Sequence, residues 1–128
     1  MFTNISVFSS FSVSDLAEAL HFYKKVLELE VEETKQGLKI LFANGGTLFI
    51  YQKEDHTPAT FTVLNFVVPR IEDTMQLLKV KNIEFEKYDT EYMKTDDQGI
   101  FHGKASGNGP NIAWFKDPAG NIIAIIEE

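Results

Sequence analysis

Three histidines are the side chains best suited to acid–base or metal chemistry in this chain, which has no cysteine. The lack of cysteine excludes disulfides, thiolate metal sites and a cysteine nucleophile. His21 falls in a predicted helix, His56 in a short link and His102 in a long polar segment. They lack the i, i+4 spacing of a helical metal-binding pair. Because loops often carry functional residues, His102 is the histidine we expect to face a ligand, and an ordinary surface role is the alternative.

Composition and charge restrict the class of protein. The chain has 128 residues, of which 44% are hydrophobic and 12% aromatic, enough for one domain with a core that needs no disulfides. The net charge of −7 disfavours nucleic acid as a partner. The amino terminus has no basic signal region, and the aliphatic run 122–126 is too short to span a bilayer. We therefore expect a cytoplasmic protein without a membrane partner.

The first half, about residues 1–56, is predicted to be a strand, a helix and three further strands. Alternating apolar residues over 7–13 indicate the first strand. Asp15 lies three residues before Glu18, the spacing of a capping box that begins a helix. The apolar stripe of that helix consists of Leu16, Leu20, Tyr23 and Leu27. Three more strands are expected at 29–33, 38–42 and 47–52, the last two joined by an Asn-Gly turn.

The second half, about residues 60–128, repeats this order. A β-branched and aromatic run over 61–68 predicts a strand, and Asn82 is expected to end the following helix in a left-handed conformation. The stripe of that helix consists of Ile71, Met75 and Leu78. Strands are predicted at 83–88, 111–116 and 122–127, with a long polar loop from Asp89 to about Pro110. The repeat in order favours an α+β fold of two βαβββ modules, although two unrelated halves of similar order would look the same.

Specific motifs resemble one known family. The segments concerned are Val13-Ser14-Asp15-Leu16, Phe22-Tyr23, Val26-Leu27-Glu28-Leu29 and Trp114-Phe115-Lys116-Asp117-Pro118-Ala119-Gly120-Asn121. Together they resemble the vicinal-oxygen-chelate superfamily, which includes glyoxalases, bleomycin resistance proteins and extradiol dioxygenases. Glu28 stands where that family usually has glycine, and Ala119 where it usually has a second aspartate. We expect neither change to disturb its turn, because Pro118 and Gly120 remain.

The resemblance implies a fold and an assembly. Over the single domain 1–128, the two βαβββ modules would form an open, cup-shaped mixed sheet. Proteins of this family usually pair as homodimers, and the open strand edges of such a cup are compatible with pairing.

The resemblance also implies where a metal ion would bind. In metal-using relatives four inward-facing positions carry His, Glu or Gln, and here they correspond to Phe8, Ile50, Val63 and Ala124. Hydrocarbon side chains cannot ligate a divalent ion, which would be an uncompensated buried charge among them. Shifting the alignment by one residue introduces only Tyr51 as a conceivable ligand. We therefore expect no metal, no cofactor and no catalytic residue.

Strand alternation predicts which residues line the cup. The lining set is Ser10, Ser12, Leu48, Gln52, Asn65, Val67, Ile122 and Ile126, together with the four positions named for the metal. The opposite set, Val7, Phe11, Val13, Leu64, Phe66 and Val68, should pack against the helices. The candidate ligand-binding residues are Phe8, Ser10, Gln52, Asn65, His102 and Trp114. Burial in the core is the alternative for Trp114, and the loop over 89–110 is long enough to be a lid.

Three functions remain open at this point. The leading hypothesis is a metal-free small-molecule binder that sequesters or senses an unidentified ligand, because an apolar wall with a few polar groups is typical of such sites. The second is a metal-dependent lyase, isomerase or dioxygenase. The third is a dimerisation scaffold without a ligand, since a fold alone does not determine function.

Overall fold

The computed structural model describes all 128 residues and divides the chain into two compact units, Met1–Pro58 and Ala59–Glu128. Each unit contains one four-stranded mixed sheet and its own helices. The α+β fold with two βαβββ modules is therefore confirmed. None of the helices combines the length and the apolar character that crossing a membrane requires.

The first unit follows the predicted order. Its elements are β1 (Ser9–Val13), α1 (Leu16–Leu20), a π-helix (His21–Val26), β2 (Glu30–Glu33), β3 (Leu38–Leu41) and β4 (Thr47–Gln52). The strand order is β1-β4-β3-β2, so that β1 is an edge strand. The first and last strands of the unit run parallel, and the other pairs are antiparallel.

The first helix begins as predicted but continues differently. The Asp15 carboxylate accepts a hydrogen bond from the Glu18 backbone N–H at 3.0 Å, which confirms the cap. After Leu20 the chain forms the π-helix, in which the Leu27 N–H donates to the Phe22 carbonyl five residues earlier at 2.9 Å. The wider turn buries both Phe22 and Tyr23. The predicted stripe residue Tyr23 is buried as expected, whereas the burial of Phe22 beside it was not predicted from a regular helical period.

Glu28 lies in the turn where the chain leaves the π-helix, and its φ is +57°. A left-handed conformation costs a non-glycine residue about 1 kcal/mol relative to glycine, because its Cβ crowds the backbone. The turn is retained, but the replacement of the family's glycine carries a cost in conformational free energy. Our expectation that this change leaves the turn unaffected was incomplete in that respect.

The second unit has the same topology. Its elements are β5 (Thr62–Val67), α2 (Ile71–Val80), β6 (Phe101–His102), α3 (Gly103–Ser106), β7 (Asn111–Lys116) and β8 (Ile122–Glu127). The strand order is β5-β8-β7-β6, with β5 and β8 parallel. Asn82 has a φ of +66°, which confirms the predicted left-handed position after the helix.

One predicted strand is wrong. Residues 83–88 form no strand, although the Glu86 N–H donates to the Trp114 carbonyl at 2.8 Å. The outer strand of this sheet is instead β6, which pairs with β7 opposite Asn111 and Ile112. Both β6 and α3 lie inside the segment that the sequence predicts as a long polar loop. Residues 83–88 favour a strand by their composition, but composition does not determine which segment pairs with β7. That choice depends on contacts between residues distant in sequence.

The hairpin between β7 and β8 is held by a buried polar turn. The Asp117 Oδ1 accepts from the N–H groups of Ala119 and Asn121, both at 2.9 Å, and Oδ2 accepts from the Asn121 side-chain amide at 3.0 Å. Asp117 is 4% exposed and Asn121 2% exposed. The hydrogen bonds satisfy the buried carboxylate, and Gly120 supplies the left-handed residue with a φ of +87°.

The core of each unit lies between its helix and one face of its sheet, which we call the helix face. In the first unit this face includes Val13, Leu38, Ile40, Leu48 and Ile50. In the second it includes Ala113, Phe115, Ile123 and Ile125. The opposite side of each sheet, which we call the helix-free face, is where a ligand has access to strand side chains without displacing a helix.

Candidate functional site

The helix-free face of the second unit carries an aromatic corner around the single tryptophan. The Trp114 Nε1 donates a hydrogen bond to the Thr62 Oγ1 at 3.1 Å. The Tyr88 ring meets the indole edge-on, with centroids 5.4 Å apart and planes at 78°. Trp114 is 8% exposed, so its ring is a wall of the site and only a small part of it is open to a ligand. Core burial and a place in the site are therefore compatible.

A β-bulge brings Thr62 to this corner. The pairing of β5 with β8 shifts between Thr62 and Leu64, which leaves Val63 without a partner and places Thr62 opposite Ile122. Simple alternation would have put Thr62 on the helix face. The sequence does not reveal the role of Thr62, because a bulge leaves no reliable pattern in a β-branched run. The predicted inward position Val63 is instead the extra residue of the bulge.

Two charged residues extend the same face. The Lys116 ammonium lies 3.1 Å from the Glu86 carboxylate, and register places Lys116 on the Trp114 side of β7. Partial burial raises the pKa of Tyr88, and the Glu86 charge raises it further against the opposing effect of Lys116. The Tyr88 hydroxyl therefore remains a hydrogen-bond donor at neutral pH.

Asn65 and Ala124 also lie on the helix-free face of the second unit. They are partners across β5 and β8, and Ala124 is also opposite Trp114. This placement agrees with the predicted alternation. Asn65 is exposed, and its amide can both donate and accept a hydrogen bond. Ligand binding by Asn65 stays a prediction.

In the first unit the predicted lining residue Ile50 is on the wrong face. Ile50 pairs with Phe11 and is fully buried on the helix face. The helix-free face instead carries Phe49 and Tyr51, whose rings stack with centroids 6.4 Å apart. Register pairs Phe49 with Ser10. The faces predicted for the residues of β4 were exchanged. The prediction placed Ile50 on the lining because it occupies a ligand position of the family, whereas the pairing of β4 with β1 places it on the helix face. The same error misplaced Leu48, which is buried on the helix face.

Gln52 supports a helix instead of lining the site. Its Oε1 accepts a hydrogen bond from the Leu16 N–H at 2.8 Å, at the first residue of α1. Glu127 makes the equivalent contact in the second unit, where Oε2 accepts from the Ile71 N–H at 3.0 Å. Both side chains satisfy an N–H that the helix itself cannot pair. Gln52 therefore lies on the helix face and not on the predicted lining, and ligand binding by it stays a prediction.

The helix-free face of the first unit contains a serine–histidine contact that the sequence did not reveal. The Ser12 hydroxyl and the His56 Nδ1 are 2.6 Å apart, although 44 positions separate them along the chain. Ser12 lies opposite Tyr51. No spacing rule predicts a contact between a strand and a distant turn. Ser12 was expected on this face, whereas His56 was assigned only to a link.

Two further predicted residues lie elsewhere. Phe8 precedes β1 and is 64% exposed. His102 pairs with Asn111, on the helix-face side of β7, and its Nε2 lies 2.7 Å from the Asp96 Oδ2. Partial burial alone would raise the pKa of Asp96, but hydrogen bonds from His102 and backbone N–H groups outweigh it and lower the pKa. His102 thus fixes a loop on the helix-face side of the sheet, and ligand binding by it stays a prediction.

A family model places the chain among known proteins. The model described as "Glyoxalase/Bleomycin resistance protein/Dioxygenase superfamily" matches residues 6–125. The chain belongs to this superfamily. No curated protein matches it.

Solved structures agree with the superfamily fold. A glyoxalase family protein from Enterococcus faecalis is 20% identical, with a TM-score of 0.70 and coverage of 99% of this chain and 100% of that chain. The fosfomycin resistance protein FosX from Listeria monocytogenes is 14% identical, with a TM-score of 0.69 and coverage of 100% and 95%. A superfamily member from Sphaerobacter thermophilus is 18% identical, with a TM-score of 0.66 and coverage of 97% and 98%. At these identities the similarity concerns the fold.

Metal-ligating side chains are not clustered in this superfamily member. No group of three or more His, Asp or Glu side chains in the chain is arranged to hold one. Besides hydroxyl groups, one amide and aromatic rings, the helix-free faces carry single potential ligands, the His56 imidazole in the first unit and the Glu86 carboxylate in the second. The carboxylates of Glu30 and Glu32 share the helix-free face of the first unit, but they lie on β2, at the opposite edge of the sheet from β1. Three strand spacings, about 14 Å, separate the two edges, too far for a shared ion.

Proposed function

We propose that the chain is a metal-free small-molecule-binding protein, and that its ligand site is the helix-free face of the second unit around Trp114. The observation that carries the proposal is the corner of Trp114, Thr62 and Tyr88, with Asn65 on the same face. An aromatic and apolar wall with a few directed polar groups is the usual composition of a small-molecule site. The role is sequestration of the ligand, as in a resistance protein, or sensing of it.

The charges around the corner support a particular kind of ligand. Lys116 and Glu86 are a partly exposed ion pair, with side-chain exposures of 50% and 30%. Such a pair contributes little to stability, so that a ligand can exchange one of its partners at low cost. The aromatic edge and the ion pair together favour a small molecule with a flat or apolar body and at least one polar or charged group.

Metal-dependent catalysis is the competing function. A lyase, isomerase or dioxygenase of this superfamily would need a cluster of His and carboxylate ligands, and no group of three or more such side chains is present. Serine and threonine hydroxyls and an asparagine amide do not form the His and carboxylate sets that catalytic zinc, manganese or iron sites use. We therefore infer that the chain binds its ligand without a metal, and we assign no catalytic residue.

Binding can be tested with defined probes. Native mass spectrometry and tryptophan fluorescence would be recorded with fosfomycin, a set of small aromatic carboxylates and the dye 8-anilinonaphthalene-1-sulfonate. Replacement of Asn65 by Ala should weaken binding about five- to tenfold, the value of one hydrogen bond. The control Gln76→Ala, on the exposed side of α2, should leave affinity unchanged. Absence of binding for every probe, or equal effects of the two substitutions, would contradict the proposed site.

Self-association is also proposed. β1 and β5 are edge strands of their sheets, and the apolar residues Val7, Phe61 and Val67 on or beside them are 83%, 67% and 65% exposed. Edge strands with exposed apolar side chains favour pairing with another strand. We propose a cytoplasmic homodimer, which sedimentation velocity would test. A monomer at every concentration would contradict it.

A further inference from the structure

The chain contains two Asn-Gly dipeptides whose surroundings differ, Asn44-Gly45 and Asn108-Gly109. In such a dipeptide the glycine backbone nitrogen can reach the asparagine side-chain carbonyl carbon, because glycine has no Cβ to obstruct the approach. Both asparagines are exposed, so that water reaches each of them. Hydrogen bonding therefore decides which of the two is reactive.

Hydrogen bonds hold both reacting groups of the first dipeptide. The Gly45 N–H donates to the Phe42 carbonyl at 3.0 Å, and the Asn44 Oδ1 accepts from the Gly46 N–H at 2.9 Å. The hairpin is further closed by the Phe42 N–H, which donates to the Gly46 carbonyl at 2.9 Å. Attack of the Gly45 nitrogen on the Asn44 side chain would have to break the first two of these bonds.

Neither reacting group is held in the second dipeptide. The Asn108 backbone N–H donates to the Gly103 carbonyl at 2.8 Å, but its side-chain amide and the Gly109 N–H form no hydrogen bond. Gly109 has a φ of +111°, and no atom lies within 4 Å of the place where a Cβ would be. The same space is open at Gly45, so that the difference between the two dipeptides lies in their hydrogen bonds.

We propose that Asn108 is the site of spontaneous deamidation in this chain. The Gly109 nitrogen attacks the Asn108 side-chain carbonyl carbon, and a C–N bond forms. The side-chain nitrogen leaves as ammonia and takes up the proton that the backbone amide loses, which gives a succinimide. Water then adds to either ring carbonyl and opens the ring to an aspartyl or an isoaspartyl residue.

The modification changes the turn that joins α3 to β7. It adds one negative charge to a chain of net charge −7, and the isoaspartyl form lengthens the backbone by one methylene group. Lys104, at the start of the same turn region, is paired with Glu127 at 3.0 Å. A new carboxylate in this turn adds negative charge to the segment that begins with this ion pair.

The test is peptide mapping by mass spectrometry after incubation of the whole chain at mildly alkaline pH. Asn108 should convert about 30-fold faster than Asn44, since the two hydrogen bonds at Asn44 together correspond to about 2 kcal/mol of activation free energy. In concentrated urea, which removes both turns, the two rates should become similar. An Asn108→Ser variant should show only the slow conversion at Asn44.

Two results would overturn the proposal. One is conversion of Asn44 at the same rate as Asn108, or faster, in the folded chain. The other is a rate ratio that stays unchanged in urea, because the difference would then come from the neighbouring sequence instead of the fold. Both results are independent of whether the chain binds a small molecule.

Discussion

Gln52 in the first unit and Glu127 in the second occupy the same place in their sheets and make the same contact with the first residue of a helix. The helix-free faces differ far more. The first unit has Ser12 beside His56 and a stacked pair of rings, whereas the second has a tryptophan held by a threonine at a bulge. Contacts that build the fold are thus repeated, and side chains that can meet a ligand are not. The repeat shows which residues belong to the scaffold and which are free to specialise.

The hairpin turns give the largest expected difference between the units. Replacement of Asp117 by Ala leaves two backbone N–H groups and an amide of a buried turn without their acceptor, and should lower the free energy of unfolding by about 3 kcal/mol. The equivalent change in the exposed turn of the first unit, Asn44→Ala, should cost about 1 kcal/mol. Urea denaturation of both variants checks this. Similar losses of stability would mean that burial of the Asp117 turn does not strengthen the contribution of its hydrogen bonds to folding.

Thr62 provides the next largest effect. Replacement by Val keeps the shape but leaves the buried indole N–H without an acceptor, which should cost about 1–2 kcal/mol and shift the Trp114 emission. The control is Thr47→Val on the helix-free face of β4, where the hydroxyl makes no hydrogen bond. Urea denaturation followed by fluorescence would measure both. Unchanged stability and emission in Thr62→Val would show that the Thr62 hydroxyl does not hold the Trp114 ring in place.

The left-handed residues after the two helices give a smaller contrast. Glu28→Gly should stabilise the chain by about 1 kcal/mol, because glycine adopts the observed φ of +57° without strain. Asn82→Gly should change stability by less than about 0.5 kcal/mol, because asparagine tolerates this conformation. Thermal unfolding of the two variants is the measurement. A loss of stability in Glu28→Gly would show that contacts of the Glu28 side chain outweigh the backbone strain.

The two helix-supporting side chains should differ mainly in their response to pH. The backbone N–H of Ile71 lowers the pKa of Glu127, and Lys104 lowers it further, from an ordinary value of 4.5. A carboxyl whose folded pKa is depressed stabilises the fold fully above its unfolded pKa, and this contribution is lost as pH falls through the folded pKa. Glu127→Gln should therefore show a smaller loss of stability below about pH 4.5 than the parent chain. Gln52→Glu should introduce the same acid sensitivity in the first unit. Parallel pH profiles of parent and variants would contradict the comparison.

The sequence predicted the features that depend on local patterns. The Asp15 cap and the left-handed Asn82 are fixed by residues close together in the chain, and the structure confirms them. The family motifs over 114–121 also have a local cause, since Asp117 closes its own turn. The module order followed from these features.

The candidate site was less predictable because it depends on register. Two features depend on how neighbouring strands pair. These are the bulge that brings Thr62 to Trp114 and the register that places Ile50 on the helix face. A shift of one residue exchanges the two faces of a strand, so Ile50 and Gln52 were assigned to the wrong face. The contact of His56 with Ser12 is likewise distant in sequence. The π-helix also changes the number of residues per helical turn, and no residue in 16–27 predicts this change.

Metal content is the most direct test of the account, because everything proposed about the ligand assumes that no ion takes part. The untagged chain would be purified without chelators and its zinc, manganese, nickel and iron measured by inductively coupled plasma mass spectrometry. We predict that each metal is far below one equivalent per chain, before and after incubation with the ion. One tightly held equivalent of any of these metals, removable only by a strong chelator, would contradict the account.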